Sequence, residues 1–495
     1  MNNKFLSPDE MAELIKDRST VWLSGCGGGI NDPDIFLSAI EKRFINTHKP
    51  CNLTLYHSAG IGNKKGGGVD RFAHPGLVCK VVGSHWTWSR QLQKMAKDNE
   101  VEAYVMPQGV MTQLTREIAA HRVGLITKVG LGTFIDPRNE RGAINEISKD
   151  SVAEVVELSG DEYLLYKSFP IDVSIIRGAK ADCDGNISLI GEGLISEALS
   201  QAQAAYNSGG IVLCQVKEKI EGRLKPYEIT IPSKLITAVC VCPEQTFSYS
   251  IEFDDRLTGA DSDIKPINEL LDDNEAKNII AKEVLSFLNN GDVVNLGFGL
   301  PSIVGSFARA DSNLSDITFT LEQGIIGGVP STGANFGVAY YPEAFVPEPN
   351  QFDWYDGGAI DTAVLSFAQF DQQGNVNVSK INGYCNGVGG FINIAQGAKK
   401  VVFVGTFTTS GLVVSKNNDS VDIIQEGRIK KLVKEVDQIS FSGMNAVKEG
   451  KQVFFVTERA SFELTLEGIR LIKVMNGIDL NDNILSNMDF VPIIR

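Results

Sequence analysis

Histidine is scarce and unevenly placed. The 495 residues hold five, His48, His57, His74, His85 and His121, and none follows position 121. A nucleophile-histidine triad in the C-terminal half would have to borrow its base from the other half, and no nucleophile-elbow motif supports one. His57 and His85 are expected to be structural. The eight cysteines (Cys26, Cys51, Cys79, Cys183, Cys214, Cys240, Cys242 and Cys385) include no C-x-x-C pair. That argues against a disulfide framework or a zinc site and fits a reduced, cytoplasmic setting, with no metal expected. Cations are outnumbered, 46 Lys and Arg against 61 Asp and Glu, for a net charge of −15. No basic stripe stands out, which excludes nucleic acid and anionic membrane as general partners. No apolar run approaches the ~20 residues that span a bilayer, and no signal peptide is expected at Met1-Asn2-Asn3-Lys4. The third glycine of a dinucleotide fingerprint is also missing. Gly25-Cys26-Gly27-Gly28-Gly29 runs into Ile30, and Gly297-Phe298-Gly299 has Ser302 at the third place. What remains is a glycine loop feeding a helix, able to hold an anion or to allow close packing.

Hydrophobic residues make up 43% and charged residues 22%, a mix that builds sizeable cores, and the length implies two domains. Ser7-Pro8-Asp9-Glu10 reads as an N-cap, a proline at the first helical position and a capping glutamate, opening a short helix through Ile15. Thr20 to Leu23 predicts a strand, and Pro33 opens the helix after the glycine loop. The second half repeats the scheme. Asp272 and Asp273 start a helix with Ile280, Val284, Phe287 and Leu288 on its apolar face, Val293 to Leu296 is a strand, and Pro301 begins the next helix.

Further parallels suggest a degenerate internal duplication. Leu53 to Gly60 lies beside Ile317 to Gly324, which puts Ser58 where Glu322 stands; Asp182 to Ile187 lies beside Asp371 to Val376, and Gly210 to Leu213 beside Lys400 to Phe403. The stretch from Ser58 to Asp182 is much longer than its counterpart. Strands alternating with helices, each strand ending at glycine, predict two related open α/β domains with mostly parallel sheets and ligands at the carboxyl ends of the strands. The polar stretch 243–266 is read as a linker between domains 1–242 and 267–495.

The most informative run is Ile317 to Phe345. Alternation through Leu321 predicts a strand that delivers Glu322 into Gln323-Gly324-Ile325-Ile326-Gly327-Gly328, where the glycines let the backbone approach a bound molecule. A carboxylate there can attack an activated acyl group to form a mixed anhydride, or it can be a solvated strand end; the local residues leave both open. Gly387-Val388-Gly389-Gly390-Phe391 reads locally as a tight turn before a helix.

Glu322 to Gly328, followed by Gln351-Phe352-Asp353-Trp354-Tyr355-Asp356-Gly357-Gly358, resembles the family I CoA-transferases, and most closely their single-chain acetate/propionate-type members. The resemblance extends over essentially the whole chain. It implies Glu322 as the nucleophile, an oxyanion hole at Gly389 and Gly390, and a ping-pong transfer of CoA between a short-chain acyl-CoA and a carboxylic acid through a glutamyl-CoA thioester. Coenzyme A is then a substrate and no cofactor is needed. A homo-oligomer, dimer or tetramer, is expected as well. Substrate contacts are expected from Gln108, Gly324, Gly327, Gly328 and Asn375. Arg138, Trp354 and Tyr355 could shape an acyl pocket or fix loop structure. The competing readings are an acyl-CoA hydrolase using the same Glu322, and a nonenzymatic acyl-CoA sensor.

Overall fold

The structure, a computed structural model, describes residues 4–261 and 274–494. The predicted helix start at Asp272 and Asp273, the end of the linker and the beginning of the second domain lie outside the described residues. The helix near the N-terminus starts as read but ends at Ala12, not Ile15. Ser7 caps a helix over Pro8–Ala12, and Glu10 returns the bond to the Ser7 N–H at 2.8 Å. The strands Thr20–Leu23 and Val293–Leu296 have the expected bounds. Pro33 caps the helix Asp34–Thr47, and Pro301 sits in the first turn of Leu300–Ala310.

Two large sheets organise the chain. In the first, Ala238–Val241, Ile211–Lys219, Val173–Ala181, Thr20–Leu23, Leu53–His57, Val78–Gly83 and Glu102–Val105 lie side by side, all parallel. The second has a parallel centre of Gln452–Val456, Lys400–Val404, Thr362–Ser366, Val293–Leu296 and Thr318–Leu321. Antiparallel rims flank it, Ile325–Ile326 and Ala344–Phe345 on one side, Ala460–Thr465 and Gly468–Val474 on the other. The five central strands of the second sheet occupy the same places as five strands of the first, as a duplication requires.

The register makes the correspondence specific. Val21 pairs with Leu55 and Val173, while Val294 pairs with Phe319 and Thr362. Three residues beyond Leu55 and Phe319 stand Ser58 and Glu322; nine beyond Val173 and Thr362 stand Asp182 and Asp371. Those two aspartates close the same turn. Asp182 accepts from the Asp184 and Asn186 N–H groups and from Asn186 Nδ2, and Asp371 from the Gln373 and Asn375 N–H groups and from Asn375 Nδ2, all at 2.9–3.0 Å. One alignment slips by a residue. Val173 pairs with Ile211 and Thr362 with Lys400, so Ile211, not Gly210, matches Lys400.

The longer stretch of the first half holds the added parallel strands Val78–Gly83 and Glu102–Val105, the helix Gln108–Ala119 and an antiparallel sheet of Gly124–Thr127, Glu154–Leu158 and Asp161–Lys167. The helix Gln108–Ala119 packs on Glu348–Asp356 from the other half. The approach is close, because a Cβ at Gly109 would fall 2.4 Å from the Phe352 ring. Segment 243–261 does not hang free. Phe247 and Leu257 are buried in a cluster with Cys26, Leu321, Ile325 and Phe336, so apolar burial holds this segment between the halves.

Candidate active site

Glu322 reaches its position because the strand Thr318–Leu321 is anchored by two buried side chains two residues apart on one face. Phe319 enters the apolar cluster of Val294 and Val304, and Leu321 enters the one between the halves. The chain then reverses. The Gly324 N–H donates to the Leu321 carbonyl at 3.1 Å, and Gly324 has φ +95°, where any Cβ would lie 2.1 Å from the Val346 oxygen. The strand therefore ends abruptly and leaves Glu322 at its tip, 8% exposed, on the wall of a cavity of about 490 Å³ between the halves.

Both glycine loops contribute to that wall, through Gly27, Gly297 and Gly299. The cavity thus lies at the carboxyl ends of the strands in both sheets. In the first loop the packing role is visible, since the Gly28 N–H donates to the Ala334 carbonyl at 3.1 Å and leaves no room for a side chain. Most of the wall is apolar, with Phe298, Phe336, Phe367 and Phe391 contributing rings. Among the described residues no lysine or arginine lines it. His85 does, and burial holds its pKa down at about 4, so it is a neutral ring near pH 7. His57 is fully buried and equally neutral, bonded through Nδ1 to the Ala59 carbonyl at 2.9 Å.

Burial raises the pKa of the Glu322 carboxyl, only partly offset by hydrogen bonds from its own backbone and from Gln323. Its Oε2 is buried and has no partner among the described residues. A buried carboxylate oxygen without a donor costs stability, and such groups concentrate where chemistry needs them. The duplication explains the space around it. In the first half the strand tip carries Ser58, whose hydroxyl donates to Glu197, the residue just before the helix Ala198–Asn207. In the second half the strand tip carries Glu322, and the residue before the helix Phe391–Gly397 is Gly390. A Cβ on Gly390 would sit 3.2 Å from Glu322 Cγ. Carboxylate and small residue have exchanged places between the halves.

The turn before that helix crosses to the first half. His85 and Gly387 form a bridge, and the Val388 and Gly389 N–H groups both donate to the Ser84 carbonyl, at 2.7 and 2.9 Å. The Gly389 N–H is thus committed, whereas the Gly390 N–H has no hydrogen-bond acceptor among the described residues. Gln108 lines the same cavity, with its backbone N–H on the Gly389 carbonyl at 3.0 Å and its Nε2 on Glu348 at 2.6 Å. Glu322, Gln108, Gly389 and Gly390 are therefore brought together.

The other expected contacts lie elsewhere. Gly324, Gly327 and Gly328 form the hairpin behind Glu322, with φ of 95°, 72° and 77°, and none lines the cavity. Asn375 is enclosed in its turn, its Oδ1 accepting from the Gly443 N–H at 3.0 Å. Arg138 is paired with Asp136 and Glu162 at 2.8 and 2.9 Å, in a separate cleft. Tyr355 is buried and accepts from Gln351 and Asn295. Asp353 pairs with Arg116, and Trp354 is partly exposed outside the cavity. Two residues of interest carried no local signal. Glu197 and Glu348 are buried carboxylates in stretches that match no motif, and their importance arises only from contacts across the fold. Among the described residues no His, Cys, Asp and Glu group converges as a metal site would, and no helix is long and apolar enough to cross a membrane.

Comparison with known proteins matches residues 5–241 to the family model described as coenzyme A transferase. The whole chain is 41% identical to a caffeate CoA-transferase of Acetobacterium woodii, covering 99% of this chain and 95% of that protein. It is 37% identical to the acetate CoA-transferase YdiF of Escherichia coli K12, covering 99% and 92%. Among solved structures, the apoenzyme of the acyl-CoA transferase YdiF from Escherichia coli O157:H7 superposes with a TM-score of 0.94 at 36% identity, over 100% of this chain and 95% of that one. A thioester complex of that protein with CoA superposes at 0.93.

Proposed function

The chain belongs to the coenzyme A transferase family and is a CoA-transferase, and on that premise we propose that it moves CoA between a short-chain acyl-CoA and a free carboxylic acid through a glutamyl-CoA thioester on Glu322. The observation that carries this reading is the state of Glu322, a buried carboxylate with an unpartnered oxygen, on the wall of a cavity between the halves. A nucleophile so placed has been stripped of the water that would otherwise mask it.

The steps balance without an added reagent. A Glu322 oxygen attacks the donor carbonyl carbon, the C–S bond breaks, and a mixed anhydride and CoA thiolate result. The thiolate then attacks the Glu322 carbonyl carbon, the anhydride C–O bond breaks, and the first acid leaves as its carboxylate. The acceptor acid runs these steps in reverse. Each tetrahedral stage places charge on a carbonyl oxygen, for which the Gly390 N–H is the available donor in its turn, with Gln108 on the same wall. In this reading Gly324, Gly327, Gly328 and Asn375 act as supports of the site.

That no lysine or arginine among the described residues lines the cavity supports an acid whose tail bears no second charge. The cavity must hold the thioester end of CoA together with the acyl group, and about 490 Å³ favours short tails. The relatives are named for acetate and for caffeate, so both acids belong in the test. A panel of acyl-CoA donors against acetate, propionate, butyrate, acetoacetate and caffeate should give parallel-line ping-pong kinetics with the small acids. CoA release that proceeds equally without an acceptor would indicate a hydrolase instead. The proposal takes 1–242 and 267–495 as two domains closing on the substrate, in a cytoplasmic homo-oligomer, dimer or tetramer.

A further inference from the structure

Glu348 is buried at the start of the helix Glu348–Asp356, its backbone fixed by a hydrogen bond from its N–H to the Ser196 carbonyl at 3.0 Å. Its Oε1 accepts from Gln108 Nε2 at 2.6 Å. Gln108 is equally fixed, as the first residue of its helix with its N–H on Gly389. What remains free is rotation of the Gln108 carboxamide about its last bond, which exchanges Oε1 and Nε2. As arranged here, Nε2 faces Glu348 and Oε1 faces the Gly389 turn, where a Cβ on Gly389 would be 3.4 Å from it. This arrangement suits an ionised Glu348, which can only accept. It presents an acceptor to a cavity in which a carbonyl oxygen becomes negative.

We propose that Glu348 is a positioning residue that, as the carboxylic acid, donates its O–H to Gln108 Oε1 and turns Gln108 Nε2 toward the reacting thioester oxygen. Glu348 keeps its proton through each turnover and holds Gln108 as a donor; loss of that proton at alkaline pH lets the amide turn back to the arrangement seen here, with Nε2 on Glu348. The inference rests on the transferase reading above.

The surroundings favour the acid form. Burial raises the pKa of Glu348 well above the usual carboxylate range, and the charges of Glu197 and Glu322 add to the rise, against a smaller opposing effect of the Gln108 bond. Of the other titratable groups near these carboxylates, Cys26 is held neutral by burial and by their charges, Tyr355 by burial with the charge of Glu322 adding to it, and His85, on the same cavity wall, by burial. On the packed helices, Arg116 is paired with Asp353, and Asp356 is bonded to Gln113 and Asn393 at the opposite end from Glu348.

The two carboxyls are then required in opposite forms. Glu322 must be ionised, which gives a rate that falls toward acid pH, and Glu348 must be protonated, which gives a rate that falls toward alkaline pH. The test is the pH profile of kcat for the full-length enzyme with butyryl-CoA and acetate. The wild type should lose about tenfold per pH unit on the alkaline side, down to the level set by loss of one oxyanion donor, roughly 10²-fold. Glu348→Gln, whose amide always donates, should abolish that limb while keeping the acid limb. Gln108→Ala should be slow at every pH and show no alkaline limb, which keeps the test decisive if Glu348→Gln does not fold. An alkaline limb that persists unchanged in either variant would overturn the proposal. Absence of transfer in the wild type with every acid tried would instead refute the transferase reading.

Discussion

Gly390→Ala isolates the geometric reason for a glycine beside Glu322. The residue has φ −80° and ψ −3°, so alanine meets no backbone strain. Its Cβ would lie 3.1 Å from Ile394 Cδ1 and 3.2 Å from both Glu322 Cγ and Phe352 Cζ, tighter than the 3.4 Å at which ordinary contact begins. All three neighbours must yield by a few tenths of an ångström. Overpacking of this kind costs about 1–3 kcal/mol in stability. The catalytic cost follows from displacing the proposed nucleophile: because misplacement by ~1 Å costs about 10²-fold, a smaller shift should lower kcat by roughly tenfold. Steady-state transfer and urea unfolding on one preparation separate the two effects. Adding Ile394→Val removes the Cδ1 contact and should recover stability without recovering kcat. A Gly390→Ala enzyme that loses stability yet keeps wild-type kcat would refute the claim that glycine is there to make room for Glu322.

Glu322→Ala should abolish transfer while leaving the fold intact, as checked by activity and far-UV circular dichroism; near-normal transfer would remove Glu322 from the chemistry. In Glu322→Asp the carboxylate falls one methylene short of the acyl carbon but can still polarise water, so residual hydrolysis should outlast transfer when free CoA is followed with and without acceptor. Glu322→Gln should be the more stable protein at high pH. A carboxyl whose pKa is raised by burial contributes stability below its unfolded-state pKa and loses it as pH rises through the folded value. The advantage of Glu322→Gln in urea unfolding should therefore grow from pH 5 to pH 8, to about 1–2 kcal/mol, and an advantage that shrinks would contradict the sign. Asn375→Ala should leave the KM for the acid unchanged while costing about 1–3 kcal/mol of stability through the donors and acceptors it orphans; the reverse pattern would return Asn375 to the substrate.

The parts of the fold readable in advance were those governed by neighbours in sequence. Val293 to Leu296, apolar but for Asn295, is closed by Gly297, and Ser7 with Glu10 is a capping box, so each carries its own boundary. The equivalence of Ser58 and Glu322 was readable because both follow the same strand at the same spacing, and the sheet register preserves it. The Gly210 alignment failed by one residue because each strand holds a continuous apolar run, Ile211 to Cys214 and Val401 to Val404, in which a slip of one leaves the pattern unchanged. The rim strands Ile325–Ile326 and Ala344–Phe345 are too short for alternation to register. Within the site, the glycines after Glu322 suggested substrate contacts because a flexible backbone suits both a ligand and a hairpin; φ and the surrounding carbonyls identify the hairpin. The bond between Gln108 and Glu348 joins residues 240 positions apart, and nothing local to either one announces it.

The central claim is the covalent step at Glu322. Enzyme mixed with acyl-CoA in the absence of any acceptor acid should release free acid in a burst equimolar with active sites and gain the mass of CoA less one water. Borohydride should then reduce the thioester and inactivate only enzyme already exposed to acyl-CoA, with the modification mapping to the peptide that contains Leu321-Glu322-Gln323-Gly324. Normal turnover with no adduct on Glu322, or an adduct on Cys385 or on another glutamate such as Glu348, would contradict the account.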